Sequence, residues 1–480
     1  MDRKSFIKSV AAGGVFAALS PLSVAECGEK NPPFAKFDMQ KRVFEVGKNY
    51  SVAVKFPEKL RGKVEGGFLS VLGDDGASDV NGDFFNKPVG TPIPFKISDG
   101  AMRFDIKFGR EQGYCIRLFD GKIPPETEAH KMPRPIAVLH VYALERDLLS
   151  LVPLRGDFHI HSTRSDGRNK PEEIALRCYE CGFDFQSISD HGRYQPSVDM
   201  QKLFSEYDTS MAFYNAEECH MAYPHIHSLG ATQSVSDYIY ANIPWYYRRV
   251  DVIMKDIPET FPFRVRKDIA KIQAECEVIR KFGGLAVYNH PYWQKDLMGV
   301  QYYNQSPKSI WDEVCRRKIF DVYEFVNYGC GDMSIARAAC NYAELRAQGL
   351  HYPVIGNSDA HRVEDQGSSY TVVFAKSNSI EDVKAAIMAR RSVAVAEFEY
   401  TDKTQRDFGR PARFAFGEDR FVRFAYFLFG HYFPEHGKAV AAEGRVLRDI
   451  ILGKKQSEEN AAKLEKLAAV SRNSYAEFRA

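Results

Sequence analysis

The chain has 480 residues, with 65 Lys+Arg against 63 Asp+Glu and a formal net charge of +2. Its 44% apolar and 27% charged content excludes disordered and collagen-like classes, and its length suits roughly two to four domains. Removing an expected signal over residues 1–25, with Asp2, Arg3, Lys4 and Lys8, leaves 62 basic and 62 acidic side chains. Such neutrality excludes the broad basic surface that grips polyanions, so no nucleic-acid partner is expected.

Residues 1–25 read as an export signal. Arg3, Lys4 and Lys8 form a positive n-region, Val10–Leu22 an apolar stretch broken by Gly13, Gly14 and Pro21, and Ser23-Val24-Ala25 a small-residue cleavage site. The stretch is too short to span a bilayer, and no integral span is expected after cleavage. Arg3-Lys4-Ser5-Phe6 resembles a twin-arginine signal with Lys4 replacing the second arginine. The expectation is an exported protein, periplasmic or associated with the cell envelope. Cys27 also raises lipidation, although Glu26 before it fits that chemistry poorly. The nine cysteines are too scattered for a disulfide framework. Cys178-x-x-Cys181 falls in a helical pattern and reads as core packing.

Residues 31–150 contain short apolar or alternating runs: Tyr50–Phe56, Phe68–Leu72, Phe104–Phe108, Tyr114–Phe119 and Ile136–Tyr142. Separated by turn residues, they predict a small all-β, sandwich-like domain. From 151 to about 400 the pattern becomes strand–helix alternation. Pro171 with Glu172 and Glu173 opens a helix ending at Gly182, and Phe185–Ser189 follows as a strand. A helix near Asp268–Lys281 precedes the strand Leu285–Tyr288, Tyr352–Ile355 is another strand, and Ser379 opens a helix to Met388. This grammar predicts an α/β fold with a parallel sheet, closed as a barrel. Residues 231–265 interrupt it with an aromatic-rich insertion, read equally as a cover for the site or a packed excursion. Residues 401–480 form a C-terminal extension with an aromatic run, Phe421–Phe433, and a charged helix around Ser457–Ala469.

The chemistry lies at predicted strand ends. His159-Ile160-His161 puts two imidazoles on one face of an extended segment. Asp166 follows, then His191 after the strand ending at Ser189, Glu217, His227, His290 closing the strand at Tyr288, and Asp359 with His361 after Ile355. Six of thirteen histidines and three carboxylates thus fall where the strands of a parallel barrel converge. Mixed imidazole and carboxylate donors suit Zn²⁺, Mn²⁺ or Fe²⁺.

At Asp157-Phe-His159-Ile-His161-Ser, Ser165-Asp166-Gly167, Ser189-Asp190-His191, the Glu217 segment, Asn289-His290-Pro291 and Ser358-Asp359-Ala360-His361, the sequence resembles the polymerase-and-histidinol-phosphatase (PHP) family of metal-dependent phosphoesterases. The resemblance covers Asp157 to about Ala396. It implies a distorted (β/α)7 barrel holding two or three divalent ions. It also implies that His159, His161, Glu217 and Asp359 serve one ion and that Glu217 bridges to a second held by His227 and His290. Asp166, His191 and His361 would hold a third, Asp166 standing where some members carry His. Glu218 adjoins Glu217 and His225 precedes His227 by two, so either neighbour can serve instead. Glu324, in Tyr323-Glu324-Phe325, also resembles a family position, but here it reads as a support for the ligands or as a structural group.

The expected reaction is hydrolysis of a small phosphomonoester or phosphodiester, with the ions lowering the pKa of the attacking water. Arg164, Arg193 and Arg362 are candidates for a phosphate clamp. Hydrolysis of an amide or another ester, or a binding protein built on a vestigial barrel, are the alternatives.

Overall fold

The computed structural model describes residues 39, 41–56, 64–74, 91–121, 135–222, 224–292, 294–297, 300–303, 308–328, 331–398, 412–453 and 457–479. The expected signal at 1–25 and Cys27 lie outside the described residues. The chain divides into two units. The smaller takes the described residues up to Leu151, Tyr426–Tyr432 and those from Asn473 onward; the larger takes Val152–Ala425 and Phe433–Arg472. The stretch from 401 is shared between them.

In the smaller unit, strands β1 (Val43–Glu45), β2 (Asn49–Lys55), β3 (Gly66–Gly73), β4 (Ile93–Ser98), β5 (Ala101–Lys107), β6 (Gln112–Asp120) and β7 (Ala137–Leu144) precede a short helix α1 (Arg146–Leu149). They form one seven-stranded sheet in the order β1-β7-β6-β3-β4-β5-β2. All pairs are antiparallel except β1 with β7. Alternation is clearest in β5, where Met102, Phe104 and Ile106 are buried and Arg103 and Asp105 are exposed. The strands do not separate into two stacked sheets, because the sheet curls on its apolar face. The Gly47 N–H donates to the Phe108 carbonyl at 2.8 Å, and the Phe44 and Phe108 rings lie 5.1 Å apart.

The larger unit is a mixed α/β structure. It begins with β8 (Val152–Asp157), α2 (Pro171–Glu180), β9 (Phe185–Gln186), α3 (Gln195–Ser205), β10 (Ala212–Phe213), β11 (Ala216–Cys219) and β12 (Ile226–Leu229). Helices α4 (Val235–Ala241), α5 (Ile243–Lys255) and α6 (Phe263–Lys281) follow, then β13 (Leu285–Tyr288) and the hairpin β14 (Gln294–Leu297) and β15 (Val300–Tyr303). Next come α7 (Lys308–Arg316), β16 (Val322–Asn327), α8 (Gly331–Ala347), β17 (Val354–Asn357), β18 (Ser369–Ala375), α9 (Ile380–Met388), β19 (Ser392–Phe398) and β20 (Ala412–Gly417). The chain ends in α10 (Asp419–His431), α11 (Phe433–Ile451) and α12 (Glu458–Arg479). None of the helices among the described residues is long and apolar enough to cross a membrane.

Two sheets carry the site, one ordered β10-β9-β8-β18-β19-β20 and one ordered β11-β12-β13-β16-β17. Pairings are of both kinds: β8 with β9, β13 with β16 and β16 with β17 are parallel, whereas β11 with β12 and β12 with β13 are antiparallel. The uniformly parallel sheet predicted from strand–helix alternation is therefore not what forms. At β11 and β12 the reason is local, because they are joined without an intervening helix and pair as neighbours in reverse; in the other sheet β18 also runs antiparallel to β8 and β19. Two single bridges, Ile160 with Ala360 and His191 with Glu218, join the sheets. Between them Leu154, Phe158, Phe185, Leu229, Val287, Val322, Ile355 and Val373 form one buried apolar cluster contributed by successive strands. The polar groups described next gather at these bridges.

Candidate metal centre

The strand ends are fixed by buried carboxylates. Asp157, at the end of β8, accepts hydrogen bonds from the His159 N–H at 3.0 Å and from the Ser358 hydroxyl at 2.5 Å, tying β8 to the segment after β17. Backbone pairing continues beyond the strands, with the Asp359 N–H on the His159 carbonyl and the His161 N–H on that of Ala360. Asp190 gathers the loop after His161: it accepts from the Ser162 N–H at 2.7 Å and from the Ser165 hydroxyl at 2.6 Å. Within that loop Gly167 is required, because a Cβ there would stand 2.3 Å from the His161 carbonyl oxygen.

Alternation along β11 decides between its two adjacent carboxylates. Glu218 points into the cluster and lies within 3.0–3.3 Å of ring nitrogens of His159, His161, His191, His225 and His290. Glu217 points the other way, toward the first turn of α4. There it accepts the Val235 N–H, the Ser236 N–H at 3.2 Å and the Ser234 hydroxyl at 3.3 Å. Its carboxylate serves the positive end of that helix, and burial raises its pKa. The bridging role read onto Glu217 therefore falls geometrically to Glu218. The paired position on β12 changes in the same way. His225 Nδ1 lies 3.1 Å from Glu218, whereas His227 is buried beside the His159 ring at 5.4 Å, and neither of its ring nitrogens has a hydrogen-bond partner.

The remaining candidates come together. His159 Nε2 and His161 Nε2 are 3.1 Å apart. Each lies 3.1–3.3 Å from both Glu218 Oε2 and Asp359 Oδ1. Four donors about 2.1 Å from a common centre in tetrahedral geometry would stand ~3.4 Å apart, close to these five separations, and His159, His161 and Asp359 form one compact group of donors. Glu324 fixes the tautomer. Its Oε1 is 2.9 Å from His159 Nδ1, and a carboxylate only accepts, so that nitrogen carries the proton and Nε2 offers its lone pair. Glu324 is itself held by the Asn357 and Asn327 amides and the His290 N–H. A second set joins Glu218 Oε1 to His225 Nδ1 and to His290 Nε2 at 3.0 Å. A third places Asp166 Oδ2 3.3 Å from His361 Nε2 and 3.5 Å from His191 Nε2. Each of the nine positions named from sequence except Glu217 and His227 thus belongs to a group whose donors lie within 4.8 Å of one another.

The electrostatics agree with a cation site. Burial alone would lower the His161 pKa, but the hydrogen bonds and charges of Asp359 and Glu218 outweigh it and raise it to about 10. A divalent ion would replace the protons that these converging donors otherwise need. Two of the groups sit on strained backbone: Asp359 has φ of 51° and His290 φ of 22°, in the region L-residues seldom adopt. Arg164, Arg193 and Arg362 are exposed. Asp157, Asp190 and Glu324 carry much of the positioning. The motifs contained Asp157 and Asp190, and Glu324 stood alone, but their roles depend on contacts such as that of Asp157 with Ser358, 201 residues away.

A largely buried constellation of imidazoles and carboxylates suited to divalent metal thus stands where two sheets meet. Residues 338–392 match the PHP-associated family. The DNA polymerase/3'-5' exonuclease PolX of Bacillus subtilis is 33% identical over 72 residues, 15% of this chain. The match spans 12% of the relative's length. Among solved structures, a two-domain protein of Bacteroides vulgatus containing a predicted PHP-like metal-dependent phosphoesterase aligns with a TM-score of 0.35 at 16% identity, over 53% of this chain and 74% of that one. An amidohydrolase of Chromobacterium violaceum with bound sulfate aligns with a TM-score of 0.30 at 15% identity, over 43% of this chain and 87% of that one. These likenesses are confined to segments of the chain: the PHP-associated match to residues 338–392 and the PolX match to 72 residues.

Proposed function

We propose that the protein is an exported, metal-dependent phosphoesterase that hydrolyses a small phosphomonoester or phosphodiester. The observation that supports it most is the Glu218 carboxylate shared among five imidazoles, with Asp359 Oδ1 also 3.1–3.3 Å from His159 Nε2 and His161 Nε2. The ring of strands β8-β9-β11-β12-β13-β16-β17, closed through the two single bridges, corresponds in this reading to the distorted seven-stranded barrel. Bound divalent ions would supply Lewis-acid chemistry, lowering the pKa of the attacking water and neutralising charge on the phosphoryl oxygens.

The chain's own groups do the rest. His159, His161, Glu218 and Asp359 would hold one ion, Glu218 with His225 and His290 a second, and Asp166, His191 and His361 a third. Glu324 keeps the His159 ring in its binding tautomer. Asp190 holds the 162–166 loop so that Asp166 faces His191 and His361. Arg164, Arg193 and Arg362 are free to meet phosphoryl oxygens from the rim.

The test is elemental analysis of the purified chain, followed by a panel of phosphate esters and amides under each metal found. The expected result is near-stoichiometric divalent metal and hydrolysis of phosphate esters that chelation abolishes. Hydrolysis of amides alone would replace the phosphoesterase reading, and a metal-free chain after reconstitution would overturn it.

A further inference from the structure

Nothing so far receives the part of the ester that leaves. We propose that His220 and Tyr240, flanked by Arg193, form a rim subsite for a planar aromatic group on the leaving side. This rests on the phosphoesterase reading and narrows its substrates to esters of an aromatic-bearing alcohol.

His220 directly follows β11, two residues beyond Glu218, so alternation carries it to the same side at the outer end of the cluster. Its ring stands edge-on to two candidate ligand rings, 6.2 Å from His191 at 90° and 6.3 Å from His225 at 69°. The ring lies against the backbone of Gly192, where an added Cβ would come within 2.8 Å of His220 Cε1. Glycine there, at φ of 57°, is what leaves the imidazole room.

Tyr240 reaches the same imidazole from the insertion. Its hydroxyl oxygen is 3.5 Å from His220 Nε2, yet the residue is 51% exposed. Among the described residues its ring belongs to no aromatic pair. A rigid element displays it. Val235, Ser236 and Ile239 of α4 are buried, Ser234 caps the helix through the Asp237 N–H, and Glu217 binds its first turn. The backbone that carries Tyr240 is therefore fixed, and its side chain reaches the imidazole that stands beside the candidate ligands His191 and His225. Arg193, exposed, directly follows the Gly192 backbone against which the His220 ring lies, so a cation flanks the subsite. An imidazole edge, an exposed phenol ring and a guanidinium together suit a π-face better than an aliphatic chain.

The experiment uses the metal-loaded full chain with benzyl and ethyl phosphate, both esters of alkyl alcohols that differ in the ring. Binding of benzylphosphonate and ethylphosphonate, which are not hydrolysed, is measured by calorimetry. The unmodified protein is expected to favour the benzyl compound in both assays. Tyr240→Ala and His220→Ala should each lower the benzyl-over-ethyl preference about tenfold, the scale of a lost aromatic contact. Tyr240→Phe should keep it within about twofold, and so should Tyr247→Ala, an exposed tyrosine on α5. Equal affinity of the unmodified protein for the two phosphonates overturns the subsite, as does a Tyr240→Ala protein with unchanged preference. If neither ester is hydrolysed while the phosphonate preference and its loss in Tyr240→Ala persist, the phosphoesterase reading fails and the subsite stands.

Discussion

Glu218 and Glu217 are chemically identical neighbours with unrelated work. A glutamine at 218 would turn an amide N–H₂ toward nitrogens that need a shared anion. Glu218→Gln should therefore bind little metal and lose at least about 100-fold in activity, since outer partners of metal ligands alone are worth ~10–100-fold. Glu217→Ala should keep its metal content in elemental analysis and instead lose stability, about 1–2 kcal/mol for a helix-terminal acceptor. Metal loss in the Glu217 variant but not in the Glu218 variant would reverse the assignment. Glu324→Gln should weaken metal binding ~10–100-fold in a competition titration, because His159 would lose the acceptor that sets its tautomer. At this scale the sequence displayed the donor types and their order. It could not display which of two adjacent carboxylates, or of two histidines two apart, faces inward. That depends on the pairing of β11 with β12 and on where α4 begins, and neither is encoded in the motif itself.

Among the elements, the insertion was ambiguous because aromatic content does not reveal which face is buried. The structure divides it. Val235, Ile239, Tyr246, Val250 and Ile253 join the apolar cluster beneath α6, whereas Tyr240 and Tyr247 stay exposed. Tyr246→Ala should cost about 3–5 kcal/mol in denaturant unfolding, and Tyr247→Ala no more than about 0.5. Equal costs would show that the packing of α5 is misassigned. Helix α6 also carries a buried carboxyl, Glu275, which accepts the Met221 and Ala222 N–H groups. Burial pushes its pKa up to about 8 despite those bonds. The unfolded chain releases this proton near pH ~4.3, the folded chain only near 8. The stability associated with the proton is thus complete below about pH 4 and is lost as pH rises through 8. Glu275→Gln should remove this slope, so urea midpoints at pH 5 and pH 9 should differ less than in the unmodified protein. Parallel pH profiles would exclude Glu275 as the source. Regular elements with strong periodicity, such as α2, β5 and β13, were legible from sequence. The two-residue strand β10 was not, since its pairing comes from the sheet it completes, and β9 pairs over only the first two residues of the strand read at Phe185–Ser189.

Across the whole molecule, a formally near-neutral chain concentrates its chemistry in one buried cluster of imidazoles and carboxylates. Binding at that cluster stabilises the folded state by mass action. Free metal at 1,000 times its dissociation constant should add about 4 kcal/mol, raising the melting temperature by roughly 10 °C over the chelated protein. An unchanged melting temperature would argue that the donors hold no ion. The sequence conveyed an α/β region preceded by strands, but not the antiparallel turn-back at β11 and β12 or the curl of the first sheet. Both are set by which strands meet, and such long-range pairings leave little periodic trace.

The bond between Asp157 and Ser358, across 201 residues, has a kinetic consequence. The donors that would share one ion run from His159 through Glu218 to Asp359 within the larger unit, so they converge only after the strands between them have been ordered. Metal cannot nucleate such a site; it can only latch one already assembled. Refolding rates should therefore be insensitive to metal concentration, while unfolding rates fall as metal is added, placing the whole stabilisation on the unfolding limb of the chevron. Acceleration of refolding by metal would instead show that part of the cluster forms early.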